Sequence, residues 1–222
     1  MLFNYLLSIV LTLVIAALIY HYVGSRFKKG TSSALLMVFI LGFGSILLNV
    51  FSFYITSLSG LFPLGNSIRR VAFYSLITAG FTREFGKFLV LRFAAMKSSD
   101  FNNPADGIVY AVMATLGFTL AAMLWNIIFP VEGIAEYYRS LLTLPANIIT
   151  AIVLGFFLGL GQLRKNIIID SMTGIIAASL FHAVIEFSLL TQDIGLIAVA
   201  FAGSIVIVAV LISKAISLSA KS

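Results

Sequence analysis

Polar residues in this chain are few and grouped, and between the groups apolar residues continue for about twenty positions at a time. A run of that length spans the hydrocarbon core of a bilayer at 1.5 Å per residue, whereas the core of a soluble domain uses shorter, amphipathic runs. Seven such spans can be drawn: Leu2–Tyr22, Ala34–Leu58, Val71–Ala95, Gly107–Phe129, Leu141–Gly161, Ser171–Leu190 and Ile194–Ile212. The pattern predicts an all-α fold, a polytopic membrane helix bundle of about seven transmembrane helices. The spans leave no polar stretch long enough for a soluble domain, so residues 1–222 read as one integral membrane domain. The first span has no positive charge before it and no small-x-small site before Ser25, which reads as an anchor rather than a cleaved leader.

Composition strengthens this picture. Of 222 residues, 61% are hydrophobic and 10% charged, with a mean hydropathy of +1.11. The absence of cysteine excludes disulfides, thiolate metal sites and a cysteine nucleophile. A net charge of +6 could suggest nucleic acid, but the basic residues sit in short loops and not along a binding stripe. Arg26, Lys28, Lys29, Arg92, Lys97, Arg164, Lys165, Lys214 and Lys221 fall on one set of alternate loops and the tail. Arg69, Arg70 and Arg139 fall on the other. That bias predicts an N-terminus outside, a cytoplasmic C-terminus and a multi-pass protein of a cell inner membrane, in contact with lipid and not with nucleic acid.

Charge inside a span is the informative exception, since each ionised group near the bilayer centre costs about 2.5–3.5 kcal/mol. In the third span, Glu84 lies eight residues from Arg92, or about 12 Å deep. Arg83 and Lys87 are four apart and Glu84 and Lys87 three apart, so the three share one side of the helix. A mutually neutralising pair inside the bundle explains them, with Lys87 able to snorkel towards the surface. In the sixth span His182 and Glu186 are stacked at i, i+4, the spacing of two ligands on one helix and equally that of a hydrogen-bonded core histidine. Asp106 and Asp170 open the fourth and sixth spans and are expected as helix-terminal acids. Gly155 and Gly159 form a small-xxx-small face for close packing. Trp125, Tyr137 and Tyr138 suit an interfacial aromatic belt.

Taken in order, several segments resemble the PrsW family of intramembrane proteases. That family is grouped with the CAAX-processing proteases and the anterior-pharynx-defective subunit of gamma-secretase. The segment from Ala79 to Leu89, AGFTREFGKFL, resembles the family's Glu-Glu-x-x-Lys helix, with Arg83 in place of the first glutamate. Asp106-Gly-Ile-Val-Tyr110 and Leu116-Gly-Phe118 match its next motif. Ser179-Leu-Phe-His182-Ala-Val-Ile-Glu186 matches its last, and Leu35–Gly42 is similar to its second helix. The likeness covers about residues 34–190. Three departures stand out: Arg83, Ala122-Met123 where the family has Glu-Asn, and Asn147 where a histidine is expected.

The resemblance implies Glu84, His182 and Glu186 as candidate catalytic residues, with Arg83, Lys87, Asp106 and Asn147 supporting them. An active member would take zinc, nominally on His182, Glu186 and Glu84, but no carboxylate would then remain as general base. A metal-free scheme would use Glu84 as base with His182 as its partner. The departures favour a degenerate homologue without a cofactor, acting as scaffold or partner-binding subunit for a membrane protein, as the gamma-secretase subunit does in the wider group. An active intramembrane endopeptidase with a divergent site is the alternative. A small-solute or ion pathway using Glu84, Lys87 and His182 is the third reading.

Overall fold

The computed structural model describes residues 1–26, 31–59, 67–130 and 133–220. Every regular element among them is helical. The helices are α1 (Leu2–Arg26), α2 (Thr31–Gly44), α3 (Ile46–Ser59), α4 (Ile68–Phe73), α5 (Thr82–Phe93), α6 (Pro104–Ile128), α7 (Ile134–Arg164), α8 (Ile167–Thr191) and α9 (Ile194–Ser219). A π-helical segment, Tyr74–Phe81, joins α4 to α5, and a 3-10 turn covers Ala95–Lys97. Among the described residues six stretches are long and apolar enough to cross a membrane: α1, the α2–α3 pair, α6, α7, α8 and α9. The seventh expected span is the continuous helix of α4, the π segment and α5, whose Arg83, Glu84, Lys87 and Arg92 lower its hydropathy. The chain is a multi-pass membrane helix bundle whose apolar outer faces meet lipid.

The second span is broken at Ser45, whose hydroxyl donates to the Gly42 carbonyl at 2.6 Å. Serine back-bonding of this kind bends membrane helices. Helix α7 begins at Ile134 and not at Leu141, so Arg139 belongs to a helix and not to a loop. The helix ends form two faces. Gln162 donates to the Met96 carbonyl and Ser219 to Asn103, gathering the basic connections at Lys97 and Arg164–Lys165. On the opposite face Asn4 donates to Ser140 at 3.0 Å. Lys28, Lys29 and Lys221 of the expected basic set lie outside the described residues.

Helix α6 forms the axis of the bundle and is buried along most of its length. Glycine makes that burial possible. A Cβ on Gly107 would lie 2.2 Å from the Gly155 carbonyl oxygen, and one on Gly159 would lie 2.3 Å from that of Asn103. These distances confirm the close-packing role of the Gly155/Gly159 face. On the other side of α6, Gly42 meets the Ala114 carbonyl and Gly117 that of Phe39, each at 2.0 Å from a would-be Cβ. Backbone-to-backbone approach takes the place of the hydrophobic effect, which cannot drive helices together in lipid.

Two expected caps are displaced by a few residues. Asn103, followed by Pro104, is the N-cap of α6 and accepts from the amides of Ala105 and Asp106. Asp106 lies in the first turn and reaches back to accept from the Asn102 amide, just before the cap, at 3.0 Å. Asp170 likewise sits in the first turn of α8, whose N-cap is Asn166.

Candidate active site

The π segment ends at Phe81, two residues before Arg83. Such segments rotate the side chains that follow them and occur often at functional sites. Gly80 within it faces the Ser179 carbonyl, 2.8 Å from a would-be Cβ, so α8 lies against the start of α5. Asn49 of α3 donates to Thr82 at 3.1 Å and holds the other side of the turn. Together these contacts place His182 opposite Glu84.

Glu84 and Lys87 are fully buried, both at 0% side-chain exposure, and paired at 2.5 Å. Lys87 does not snorkel to the surface as expected. Its ammonium also donates to Thr150 at 3.3 Å and sits 5.6 Å from the centre of the Phe118 ring, within cation–π range. His182 Nδ1 is 2.7 Å from Glu84 Oε1, and its Nε2 is 3.2 Å from Arg83 Nη1. A guanidinium can only donate and a carboxylate only accepts, so the imidazole carries its proton on Nδ1 and offers Nε2 to Arg83.

The chain of charges continues through Glu186. Its Oε2 accepts from Arg83 at 3.4 Å and its Oε1 from Arg139. Arg139 also donates to Glu136 Oε2 at 3.3 Å, and Glu136 Oε1 accepts from Tyr5. Three carboxylates therefore alternate with three cations from α1 to the bundle centre. This pairing is what lets so many charges be buried, since an isolated one would be prohibitive. Glu84 Oε2 alone among these carboxylate oxygens has no partner among the described residues.

Of the residues expected at a site, Glu84, His182, Glu186, Arg83 and Lys87 converge. Asn147 lies beside them: it donates to Thr119 at 2.9 Å, and its backbone carbonyl accepts from the Lys87-bound Thr150. Asp106 does not join the site; it belongs to the opposite end of α6. Arg139, Glu136 and Thr150 escaped sequence reading. Glu136 and Arg139 at i, i+3 carry a weak signal, hidden because their polarity made the first turns of α7 resemble a loop.

A cavity of about 370 Å³ leads to this network. Arg83 and Asn147 line its inner end, while Trp125, Phe129 and Phe53 line its outer part. Ala122, one of the departures from the family pattern, is in its wall.

The donor set does not suit a metal ion. His182 Nε2, the lone pair a metal would need, is used by Arg83, and both Glu186 oxygens are used by guanidinium groups. A divalent ion about 4 Å from a guanidinium meets about 8 kcal/mol of repulsion at an effective dielectric of 20. Lys87 and Arg139 add to this, which offsets most of the roughly 10–16 kcal/mol that a good zinc site provides. Among the described residues no group of three His, Asp or Glu side chains could hold a metal.

Comparison with known proteins agrees with the motif reading. The family described as PrsW family intramembrane metalloprotease matches residues 31–213, a wider stretch than the 34–190 read from motifs. The chain is 26% identical over 147 residues to the protease PrsW of Geobacillus kaustophilus, covering 65% of this chain and 61% of that protein. It is 28% identical over 117 residues to that of Halalkalibacterium halodurans, covering 50% and 54%. It is 32% identical over 89 residues to that of Bacillus subtilis, covering 39% of each. The chain thus spans between two fifths and three fifths of the length of these relatives. No solved structure matches. With the family pattern matched over most of its length and the motif helices converging on one buried site, the chain belongs to the PrsW family.

Proposed function

We propose that this PrsW-family protein has lost the hydrolytic reaction and serves as a membrane-embedded scaffold or binding subunit for another membrane protein. The observation that carries the reading is Arg83. Its Nη1 bonds both His182 and Glu186, so the place where a hydrolase would keep a metal ion or an attacking water is filled by a fixed cation. Glu84, the remaining member of the Glu-Glu pair, is neutralised by Lys87 and turned onto His182. The charges hold α5, α7 and α8 together instead of acting on a peptide bond. The family's metalloprotease chemistry supplies a metal-activated water, and the side chains of this chain do not hold the ion. The loop charges favour an N-terminus outside and residence in a bacterial inner membrane, the bacterial sources of the relatives agreeing.

One observation favours the second reading, an active metal-free peptidase. Glu84 Oε2 is buried and has no partner among the described residues, and Glu84 and His182 are in contact, as a base and its partner would be. Proteoliposomes carrying the chain and photo-crosslinkable single-span peptides separate the two. The scaffold reading expects crosslinking of a peptide at equal yield in wild type and Glu84→Gln, with no cleavage in either. Cleavage by wild type that Glu84→Gln abolishes would establish the peptidase instead.

A further inference from the structure

We infer that the cavity beside Arg83 and Arg139 binds the anionic head of a single-chain membrane amphiphile, with its apolar chain along the aromatic wall. The inference goes beyond the scaffold reading and does not depend on it. The charges facing the cavity are unequally accessible. Arg83 and Arg139 keep 21% and 18% side-chain exposure, while their partners Glu186 and Glu136 keep 3% and 6%. Both oxygens of each of these carboxylates are already engaged. Arg83 uses only Nη1 for its two contacts, which leaves Nη2 and Nε as donors among the described residues. The inner end of the cavity therefore offers guanidinium N–H groups and no free carboxylate.

Beyond the charges the wall combines neutral polar groups, Asn49 and Asn126 among them, with an apolar and aromatic stretch. Val50 and Phe53 of α3, Phe118 and Trp125 of α6 and Phe129 just beyond it form the apolar stretch. Phe53, Trp125 and Phe129 are exposed on the bundle surface, so the aromatic part of the wall is open to the surroundings of the bundle. A volume of about 370 Å³ admits a head group and part of one chain and is too small for a two-chain phospholipid. Guanidinium groups suit carboxylate and phosphate alike, since both accept the planar fork of donors. The chemistry shared by a fatty acid and a lysophosphatidate is therefore what the site would recognise.

Trp125 is the sole tryptophan of the chain and lines the cavity, so it reports occupancy directly. The purified full chain in neutral detergent is titrated with 9,10-dibromostearate, with a brominated lysophosphatidate and with the methyl ester of dibromostearate. Saturable quenching of Trp125 by one or both anions, reversed by unlabelled oleate or lysophosphatidate, and absent with the ester, is the expected result. Which anion saturates at the lower concentration identifies the source of the head group. Arg83→Gln should weaken the anion by about tenfold. Ala122→Phe, which fills the cavity without touching a charge, should abolish saturable quenching even if Arg83→Gln fails to fold. Non-saturable quenching equal for acid and ester, or quenching unchanged by Ala122→Phe, would overturn the assignment.

Discussion

Replacing Lys87 by methionine leaves the Glu84 carboxylate in a place that water does not reach, with one hydrogen bond from His182. Both partners of the pair are at 0% exposure and 2.5 Å apart, so surface screening does not soften the loss. Removing one partner of a buried pair costs about 3–5 kcal/mol, because the surviving charge stays desolvated. Methionine keeps most of the lysine's aliphatic volume, which limits the packing penalty to less than about 1.5 kcal/mol. Lys87→Met should therefore take away a large share of a stability that is typically about 5–15 kcal/mol. Lys87→Met combined with Glu84→Gln removes the stranded charge and should recover most of it, giving a coupling of at least about 2 kcal/mol in a double-mutant cycle. Unfolding by steric trapping in bicelles measures all four variants under one condition. Additive single effects, or a Lys87→Met variant within about 0.5 kcal/mol of wild type, would refute the view that this pair is a desolvated structural unit.

Helix packing makes a second prediction. Gly107→Leu should prevent assembly, because even its Cβ would lie 2.2 Å from the Gly155 carbonyl oxygen. Gly203→Ala meets nothing within 4 Å and should be neutral or stabilise α9 by about 0.5–1 kcal/mol; monodisperse yield and thermal aggregation in detergent distinguish the two. Asp106→Ala should cost about 0.5–1.5 kcal/mol through the lost hydrogen bond from the Asn102 amide and leave Trp125 quenching unchanged, since Asp106 does not line the cavity. Orientation can be read by labelling, because the chain has no cysteine of its own. Arg69→Cys should react with an impermeant maleimide on intact cells, and Asn102→Cys only after permeabilisation. The reverse pattern would invert the topology.

What was legible in the sequence was whatever one helix carries by itself. Twenty-residue apolar runs are a direct consequence of bilayer thickness, which is why the spans emerge with most boundaries off by a few residues, the start of α7 and the end of α9 by seven. His182 and Glu186 share a helix face by spacing alone. Partner choice is a tertiary property and was less accessible. Arg83 reads as a neighbour of Lys87 by periodicity, yet the π segment before it turns its guanidinium onto α8. No 3.6-residue pattern announces that turn.

Arg139 is the clearer failure. Charge counting assigns it to an outer loop, because loops are where arginines in membrane proteins ordinarily lie. It is instead helical and half-sealed between Glu136 and Glu186. A rule built on solvated charges cannot anticipate one neutralised by a carboxylate 47 positions away in sequence. The same network accounts for the half-buried Arg83: Glu186 is present to receive its charge. Arg83, Ala122 and Asn147, three of the positions read as departures, line one cavity, a relation that sequence order conceals.

The zinc content of purified protein tests the central claim most directly. Wild-type chain, dialysed against zinc and then passed through a chelating column, should retain far less than one ion per chain, because Arg83 occupies His182 Nε2. Arg83→Glu removes that cation and adds a carboxylate beside Glu84 and His182, and should retain zinc close to one per chain. Stoichiometric zinc in wild type, lost on His182→Ala, would contradict the account.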